Sequence, residues 1–393
     1  MIVLRNARVI PELTPGFNDD RADIIIEDDK IADIVPAKTA NGETVFDMTE
    51  STVIPGLIDA HVHLDLCGMD TFEENVQPDS FRVVRALRLA MDNLRKGYTT
   101  VRDLGDRNDI VISLANAVSQ DLVMAPDILA SGKIISPTES GNDFFGTMYL
   151  EADSPMEFRK AVRTQYQAGA DWIKVMATGA VMNPGGDPGA PIIMEDEMRA
   201  VCEAADYVNR PVAVHCHGAN GVKIAIRAGV RTIEHSSIMD DECIRMYLAT
   251  DKSFPIPTIS PMKNFLEFSE DKPAHYVEKA KRLFSSLLES MRAANKAGVK
   301  LGWGTDAGVY VGSHGNGIYE FRARVNDLEF TPLECLIQAT KNNAEILQID
   351  DSVGTLAVGK KANILAVRGE PDKDINALED ITLVLKGGRV VKD

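Results

Sequence analysis

The sequence predicts an α/β protein, built as a (β/α)₈ TIM barrel with a small β-sandwich domain formed by the two chain termini. Short strand-like segments occupy both ends of the chain, and apolar runs alternate with amphipathic stretches through the middle. The length of 393 residues suits one barrel of roughly 250 residues with insertions and one smaller domain. We expect 1–55 and 358–393 to form the β-domain and 56–357 the barrel.

The terminal segments have the composition of short strands separated by Pro, Gly, Asn and Asp turns, with no helical periodicity. Because both ends share this pattern, we expect them to meet in one β-domain. The predicted strands are 2–4, 7–10, 23–27, 31–35, 45–47, 362–368, 382–386 and 389–392.

The middle of the chain contains eight apolar runs, and helical patterns follow several of them. This alternation is typical of βα units around a parallel sheet. A doubly wound open sheet is the rival, but its glycine fingerprint after a first strand is absent. The predicted barrel strands are 53–64, 99–103, 127–131, 172–177, 212–215, 231–234, 254–258 and 301–305, and the helical patterns include 81–96, 156–168, 197–208, 221–228 and 277–297.

Composition restricts the partners and the location. The formal net charge of −17 argues against a nucleic-acid partner and against anionic membranes, so a small molecule is the expected ligand. No apolar run approaches the roughly 18 residues of a membrane span, and no signal-length apolar region opens the chain. We therefore expect a cytoplasmic protein. Five scattered cysteines argue against a disulfide framework.

Four of the seven histidines lie at predicted strand ends. His61 and His63 leave the same face of the first barrel strand, His215 and His235 follow the fifth and sixth, and Asp306 closes the eighth. Taken singly, each has an ordinary explanation, such as a hydrogen-bonded structural histidine or a helix cap. At one mouth of a barrel, however, these groups would meet, and burying them together predicts a bound cation.

Lys174 lies inside an apolar predicted strand, 172–177. A buried ammonium costs several kcal/mol unless it is paired, deprotonated or modified. Three roles are open from the residue alone: a structural ion pair, a Schiff-base nucleophile, or a derivative that bridges metals.

The segment 55–63, PGLIDAHVH, resembles the first-strand signature of the amidohydrolase superfamily. Lys174, His215, His235 and Asp306 follow in that superfamily's order, on strands four, five, six and eight. The segments 97–103, 233–235, 314–316 and 353–363 are similar to its imidazolonepropionase-like and Xaa-Pro-dipeptidase-like branch, which usually carries Asp where Asn363 stands.

This resemblance implies a binuclear metal centre and hydrolysis of an amide or peptide bond. Two divalent cations, most simply Zn²⁺, would share a bridging hydroxide that attacks the carbonyl, with Asp306 as the catalytic proton carrier. The implied ligands are His61, His63 and Asp306 for one cation, His215 and His235 for the other, and N-carboxylated Lys174 as the bridge.

Within that class, dipeptidase- or carboxypeptidase-like cleavage of Xaa-Pro or N-acyl amino acid substrates leads. A cyclic-amide or lactone hydrolase and a deaminase of the same superfamily are alternatives, and so is a Schiff-base lyase using Lys174. A non-catalytic relative would be expected to lose ligands, whereas all of these positions are filled. The resemblance also implies a homo-oligomer.

Four further residues are expected to bind substrate or support the ligands: Asp59, His217, His314 and Asn142. The branch usually carries a Thr-Gly-Gly-His run after strand three, whereas this chain has 136–142, SPTESGN. The usual histidine is missing and Glu139 adds a negative charge. If Glu139 faces the site, a substrate carboxylate would be bound poorly.

Overall fold

The computed structural model describes residues 1–68 and 71–392. The strands are Ile2–Val9 (β1), Arg21–Glu27 (β2), Lys30–Pro36 (β3), Thr44–Asp47 (β4), Ser51–Pro55 (β5), Leu57–Val62 (β6), Tyr98–Asp103 (β7), Asp127–Ala130 (β8), Ile134–Ser136 (β9), Tyr149–Glu151 (β10), Ile173–Met176 (β11), Val212–Cys216 (β12), Thr232–His235 (β13), Phe254–Ile256 (β14), Ile364–Arg368 (β15), Ile381–Lys386 (β16) and Arg389–Lys392 (β17).

The α-helices are Thr71–Asn75 (α1), Asp79–Arg95 (α2), Ile110–Ser119 (α3), Pro155–Ala168 (α4), Glu195–Tyr207 (α5), Ala219–Ala228 (α6), Asp241–Leu248 (α7), Ser260–Glu267 (α8), Ala274–Ala297 (α9), Gly317–Asn326 (α10), Pro332–Ile337 (α11) and Asn343–Ile346 (α12). Their ends follow local capping chemistry, as in α4. Ser154 accepts a hydrogen bond from the Glu157 amide at the start of α4, and Gly169, at φ 100°, ends it.

Strands from both chain ends form one sheet, in the order β17-β16-β15-β5-β1-β2-β3, with β4 also paired to β1. The C-terminal β15 pairs antiparallel with the N-terminal β5. The predicted β-domain of the two termini is therefore confirmed. Two predicted strands, 2–4 and 7–10, are one strand whose register shifts between Leu4 and Ala7. Asn6, at φ 57°, lies in that irregularity, which explains why the sequence pattern breaks there.

The barrel strands form a six-stranded parallel sheet, β10-β9-β11-β12-β13-β14, and a three-stranded sheet, β6-β7-β8. Backbone hydrogen bonds link the two. On one side, the Asp171 amide donates to the Ala130 carbonyl at 2.8 Å. On the other, the segment 301–306 bonds to both neighbours: the Gly302 amide to Pro255 at 3.0 Å, and the Ala60 amide to the Trp303 carbonyl at 3.2 Å.

The TIM-barrel fold class is confirmed, with one difference in its eighth strand. The predicted strand 301–305 runs between β14 and β6 but forms no regular ladder with either. Its backbone reverses into the left-handed region at Asp306, at φ 55°, directly after the segment. The apolar pattern that suggested a strand instead reflects burial, since Leu301 and Trp303 are both buried.

The chain divides into two compact units. One comprises Met1–Asp59, Ala90–Val101 and Gly315–Asp393, and the other comprises Ala60–Leu89 and Arg102–His314. The second unit contains all six of the expected metal ligands. The domain bounds expected from the sequence stay a prediction. Among the described residues, no helix is both long and apolar enough to cross a membrane.

Candidate metal centre

All six residues expected to be metal ligands line one cavity of about 690 Å³, a volume that includes its solvent-open mouth. Parallel pairing explains part of this convergence. Along β12 and β13, His215 is paired with Glu234 and Cys216 with His235, so the two histidines lie one step apart at the same ends of adjacent strands. The ligand candidates that line the cavity are His61, His63, Lys174, His215, His235 and Asp306.

His61, His63 and Asp306 form the first cluster. The Nε2 atoms of both histidines lie 3.4 Å from the same Asp306 oxygen, Oδ1. The opposite ring nitrogens are held from behind: His61 Nδ1 lies 2.9 Å from a Glu234 carboxylate oxygen, and His63 Nδ1 donates to the Gly105 carbonyl at 3.0 Å. Because Nδ1 of each histidine donates to an acceptor behind it, Nε2 is the ring nitrogen directed at the cluster, which is the arrangement of metal-binding histidines.

The second cluster contains His215, His217 and His235. The Nδ1 atom of His215 lies 2.9 Å from Nε2 of His235. Outside the cluster, His235 Nδ1 contacts the Thr258 hydroxyl at 2.7 Å and His217 Nδ1 contacts the Ser237 hydroxyl at 2.8 Å. Two sets of ligand atoms lie within 4.8 Å of one another and could each hold a metal ion: those of His215, His217 and His235, and those of His61, His235 and Asp306.

Lys174 lies buried in β11, with 1% of its surface exposed. Within the part of the chain that the structure describes, no carboxylate comes within ion-pair distance of its ammonium. Burial lowers the pKa of Lys174 to about 8, although the charges of Glu234 and Asp306 act to raise it. A close structural ion pair, one of the three roles open from the sequence, is therefore not what holds this lysine.

Electrostatics favour cation binding at this site. Burial lowers the pKa of His61 to about 4 and holds the pKa values of His215 and His235 well below their ordinary range. Burial also acts to raise the pKa of Asp306, but the charge of His61 and the hydrogen bond to His63 outweigh it and lower that pKa. His63 differs: burial acts to lower its pKa, but the hydrogen bond and the charge of Asp306 outweigh burial and raise it. Once His63 has released its proton, the site offers neutral imidazoles beside an ionised carboxylate. Divalent transition metals take this donor set, so the residues present fit such a group.

Backbone strain also occurs at the same strand ends, as it does at several turns elsewhere in the chain. His235 at φ 68°, Ser236 at φ 46° and Asp306 at φ 55° all adopt left-handed conformations that residues other than glycine rarely occupy. Such conformations cost of order 1–3 kcal/mol each and cluster at functional sites. Here they occur at two of the expected ligands.

Comparison with known proteins identifies the family. The model of the Amidohydrolase family matches residues 52–391, most of the chain. The chain belongs to the amidohydrolase family. It is accordingly a hydrolase that acts on carbon–nitrogen bonds, in a family that generally uses divalent metals.

Three relatives of this amidohydrolase are informative. A crystal structure of a Xaa-Pro dipeptidase with methionine bound in its active site has a TM-score of 0.91 at 30% identity, with each chain fully covered. A prolidase complexed with N-methylphosphonate-L-proline has a TM-score of 0.88 at 29% identity, covering 100% of this chain and 99% of that one. Ochratoxinase from Aspergillus niger is 28% identical over 421 aligned positions, covering 97% of this chain and 85% of the relative.

Two residues of this amidohydrolase that the sequence analysis missed orient His61. Glu234 contacts His61 through one oxygen and accepts from the Arg102 guanidinium through the other, at 3.0 Å. Burial acts to raise the pKa of Glu234, but the charge of Arg102 outweighs it and lowers the pKa to about 2. Arg102 also donates to the Ala60 carbonyl at 2.7 Å and stacks on Trp172. The sequence did carry a signal for these two residues, because each is a charged residue within a predicted barrel strand.

A third missed residue, Asp103, orients His63 indirectly. Its carboxylate accepts from the Leu64 amide at 2.6 Å and from the Gly105 amide at 3.1 Å. These two bonds fix the loop whose Gly105 carbonyl holds His63 Nδ1. Burial raises the pKa of Asp103 to about 6, with the charge of His63 opposing that shift.

The four expected supporting residues separate into one in the cavity and three outside its described lining. His217 lines the cavity. His314 donates from Nε2 to the carbonyls of His63 at 3.2 Å and Leu66 at 3.0 Å, so it braces the loop after β6. Asn142 is buried and donates to Pro137 and Glu151, and Asp59 is buried in β6.

Glu139 also lies outside the described lining of the cavity and is partly buried. Burial raises the pKa of Glu139, and the charge of Lys279 opposes the shift. The Glu139 carboxylate lies close to the loop that follows β11, because a Cβ placed on Gly186 would be only 2.1 Å from it.

Proposed function

We propose that this amidohydrolase cleaves an amide or peptide bond of a small molecule with the help of two divalent cations, most simply Zn²⁺. Imidazole and carboxylate donors suit this metal, and carbon–nitrogen hydrolysis is the chemistry of the family. The proposed ligands are His61, His63 and Asp306 for one cation, His215 and His235 for the other, and N-carboxylated Lys174 between them.

One observation carries the proposal. The Nε2 atoms of His61 and His63 converge on one oxygen of Asp306, while Glu234 and the Gly105 carbonyl hold the opposite ring nitrogens. A histidine that serves only packing does not need its outer ring nitrogen fixed so that its inner ring nitrogen meets a second histidine and a carboxylate. This orientation supports a ligand role.

A carbamate on Lys174 would supply the bridge. The amine nitrogen of Lys174 would form a bond to the carbon of CO₂ and release a proton. The resulting carbamate has two oxygens that share one negative charge. The burial of Lys174 among histidine ligands, without an ion pair at contact distance among the described residues, supports a modified side chain over a free ammonium.

When bound, such cations polarise a carbonyl and lower the pKa of water toward neutrality. The protein's own contribution is positioning and proton transfer. Asp306 is held ionised and lies at the centre of the first cluster, so it can accept the proton of the attacking water. The same oxygen can then deliver that proton to the leaving nitrogen as the carbon–nitrogen bond breaks.

The similarity to Xaa-Pro dipeptidase and prolidase structures supports a peptide-type amide as the scissile bond. Dipeptides of Xaa-Pro type and N-acyl amino acids are therefore candidate substrates, together with neutral amides of similar size. Cyclic amides and lactones are the alternative within the family.

The proposal is tested by assaying a panel of dipeptides, N-acyl amino acids, neutral N-acyl amides and lactones, with Zn²⁺ and bicarbonate present. We expect at least one linear amide to yield free amine, to lose that reaction after chelation, and to regain it with Zn²⁺. The Asp306→Asn variant, similar in shape, is the matched inactive control. Hydrolysis that survives complete metal removal, or activity on lactones alone, would contradict the proposal.

A further inference from the structure

The cavity beside the metal centre has a wall made of apolar side chains. Its members come from the loop after β6, from β9, from the turn before β10 and from β11 and the loop that follows it. They form one hydrophobic cluster and all of them also line the cavity. This apolar wall consists of Leu66, Ile134, Phe145, Met148, Met176 and Ala180.

Other elements add more apolar surface to the same cavity. Pro261, Met262 and Phe265 of α8 line it, and so do Met182 and Val309. Two phenyl rings and several flexible methionines make a surface that adapts to a large apolar group, with the scissile bond at the histidine cluster.

Positive charge is scarce in this lining. Among the described lining residues, Lys174 is the one lysine or arginine, and it belongs to the proposed metal centre. Lys279 of α9 approaches the loop that carries Met182, but its ammonium already donates to the carbonyls of Ala180, Asn183 and Gly185, at 3.1, 2.8 and 2.7 Å. An ammonium has three donors, so these carbonyls occupy all of them.

The charge that does lie near this loop is negative. Glu139 is partly buried against Gly179 and Gly186. A substrate carboxylate entering here would leave water without gaining a cationic side chain, which costs free energy. A carboxylate drawn to the proposed cations would compete with the scissile carbonyl for them, and so would inhibit cleavage.

We propose that the physiological substrate is a neutral amide with bulky apolar groups flanking the scissile bond, and that it carries no free carboxylate beside that bond. This inference rests on the proposed function and narrows its substrate class. Dipeptides and N-acyl amino acids with a free carboxylate become poor substrates. Amides that lack the carboxylate, or carry it as a carboxamide, become good ones.

The test uses three probes that share one scissile amide: N-benzoyl-phenylalanine, its neutral carboxamide, and N-benzoyl-phenethylamine. We expect kcat/KM for both neutral probes to exceed that of the acid by roughly tenfold to a hundredfold, with the acid acting as an inhibitor. Faster cleavage of the acid would overturn the inference and leave the proposed function intact. Failure to cleave any of the three by a metal-loaded protein that still cleaves another linear amide of the panel would overturn the inference and leave the proposed function intact, whereas failure on every linear amide of the panel would remove both.

A charge substitution tests whether the lining itself sets this preference. Met182 is partly exposed in the cavity loop, so Met182→Lys adds a cation with little cost to folding, and Met182→Gln is the matched neutral control. We expect Met182→Lys, but not Met182→Gln, to shift the ratio of acid to carboxamide cleavage toward the acid by about tenfold. An unchanged ratio in a folded Met182→Lys protein would overturn the inference. Val309→Lys, at a second partly exposed lining position, replaces it if the first variant does not fold.

Discussion

Two buried carboxylates, one in the barrel and one in the β-domain, are stabilised in different ways. Glu234, in β13, is held by two side chains, His61 and Arg102. Asp23, in β2, is held by backbone amides alone among its described contacts, and its pKa also lies below the ordinary value because these amides outweigh burial. The donors to Asp23 are the amides of Asn6, Lys38, Thr39 and Ala40, at 2.8 to 2.9 Å.

The kind of partner that holds each carboxylate indicates whether it supports the proposed metal site or the fold. A carboxylate held by side chains passes its position on to them, so Glu234 fixes the ring of a proposed metal ligand. A carboxylate held by backbone amides fixes the path of the chain, here the turn from 38 to 40 against β1 and β2. We therefore expect changes at Glu234 to act on metal binding and changes at Asp23 to act on stability.

Asp306→Asn removes the proposed proton acceptor itself and should have the largest effect on activity, against which the effects of changes at Glu234 and Asp23 can be judged. The amide keeps the shape of the side chain but cannot take the proton of the attacking water, so kcat should fall by about 10²- to 10⁴-fold. Steady-state kinetics on the best amide of the panel measure this, with thermal unfolding as the control for folding. A variant that keeps more than about a tenth of wild-type kcat would remove Asp306 from its proposed role.

Glu234→Gln should have the next largest effect. The amide loses the charge that stabilises the His61 ring orientation, and Zn²⁺ affinity should fall by roughly 10- to 100-fold. Arg102 keeps its bonds to Ala60 and Thr232, so the fold should survive. Competition with a chromophoric chelator measures the affinity. Unchanged affinity would mean that Glu234 serves the fold alone, and the comparison would fail.

Asp23→Asn should lower stability and leave catalysis alone. The new amide group faces two backbone donors that lose their acceptor, which costs about 1–3 kcal/mol of unfolding free energy. Urea unfolding measures the loss, and kcat at 25 °C should match the wild type. Asp19→Asn, at an exposed carboxylate of the same domain, is the matched control. A fall in kcat without a fall in stability would contradict the assignment.

The smallest effect concerns pH. Since the folded pKa of Asp23 lies below its unfolded value of about 3.9, its contribution is fully present above that value and is lost as pH falls through the folded pKa. The stability difference between wild type and Asp23→Asn should therefore be constant from pH 7 to about 5 and shrink below about 4. Urea titrations at several pH values measure it. A difference that grows on acidification would reverse the sign and contradict the account.

The sequence predicted that the ligand candidates would lie together, because strand periodicity and topology determine where they point, whereas their role as ligands stays a prediction. His61 and His63 share a strand face by their spacing, and the parallel strands β12 and β13 direct His215 and His235 toward one mouth. Asp306 reaches the same cavity from the end of the buried segment 301–305, which is not a regular strand. Such placement depends on the local residue pattern and on the order of strands, and both can be predicted from the sequence. The terminal β-domain was predictable for the same reason.

The partners of these residues were not predictable, because they depend on register across strands. Nothing local to Glu234 says that it meets Arg102 and His61, which lie more than a hundred positions away. Loop paths were equally hidden: His314 braces two carbonyls and Asn142 joins Pro137 to Glu151 outside the described lining of the cavity. Their expected roles stay predictions.

The most direct test of the central claim is the metal content per chain, measured by elemental analysis after preparation with Zn²⁺ and bicarbonate. It should compare the wild type with Lys174→Ala and, as the matched control, Lys279→Ala, whose lysine contacts only loop carbonyls among its described hydrogen bonds. We predict about two metals per chain in the wild type and in Lys279→Ala, and a sharp fall in Lys174→Ala. One metal or none in the wild type, unchanged in Lys174→Ala, would contradict the binuclear centre.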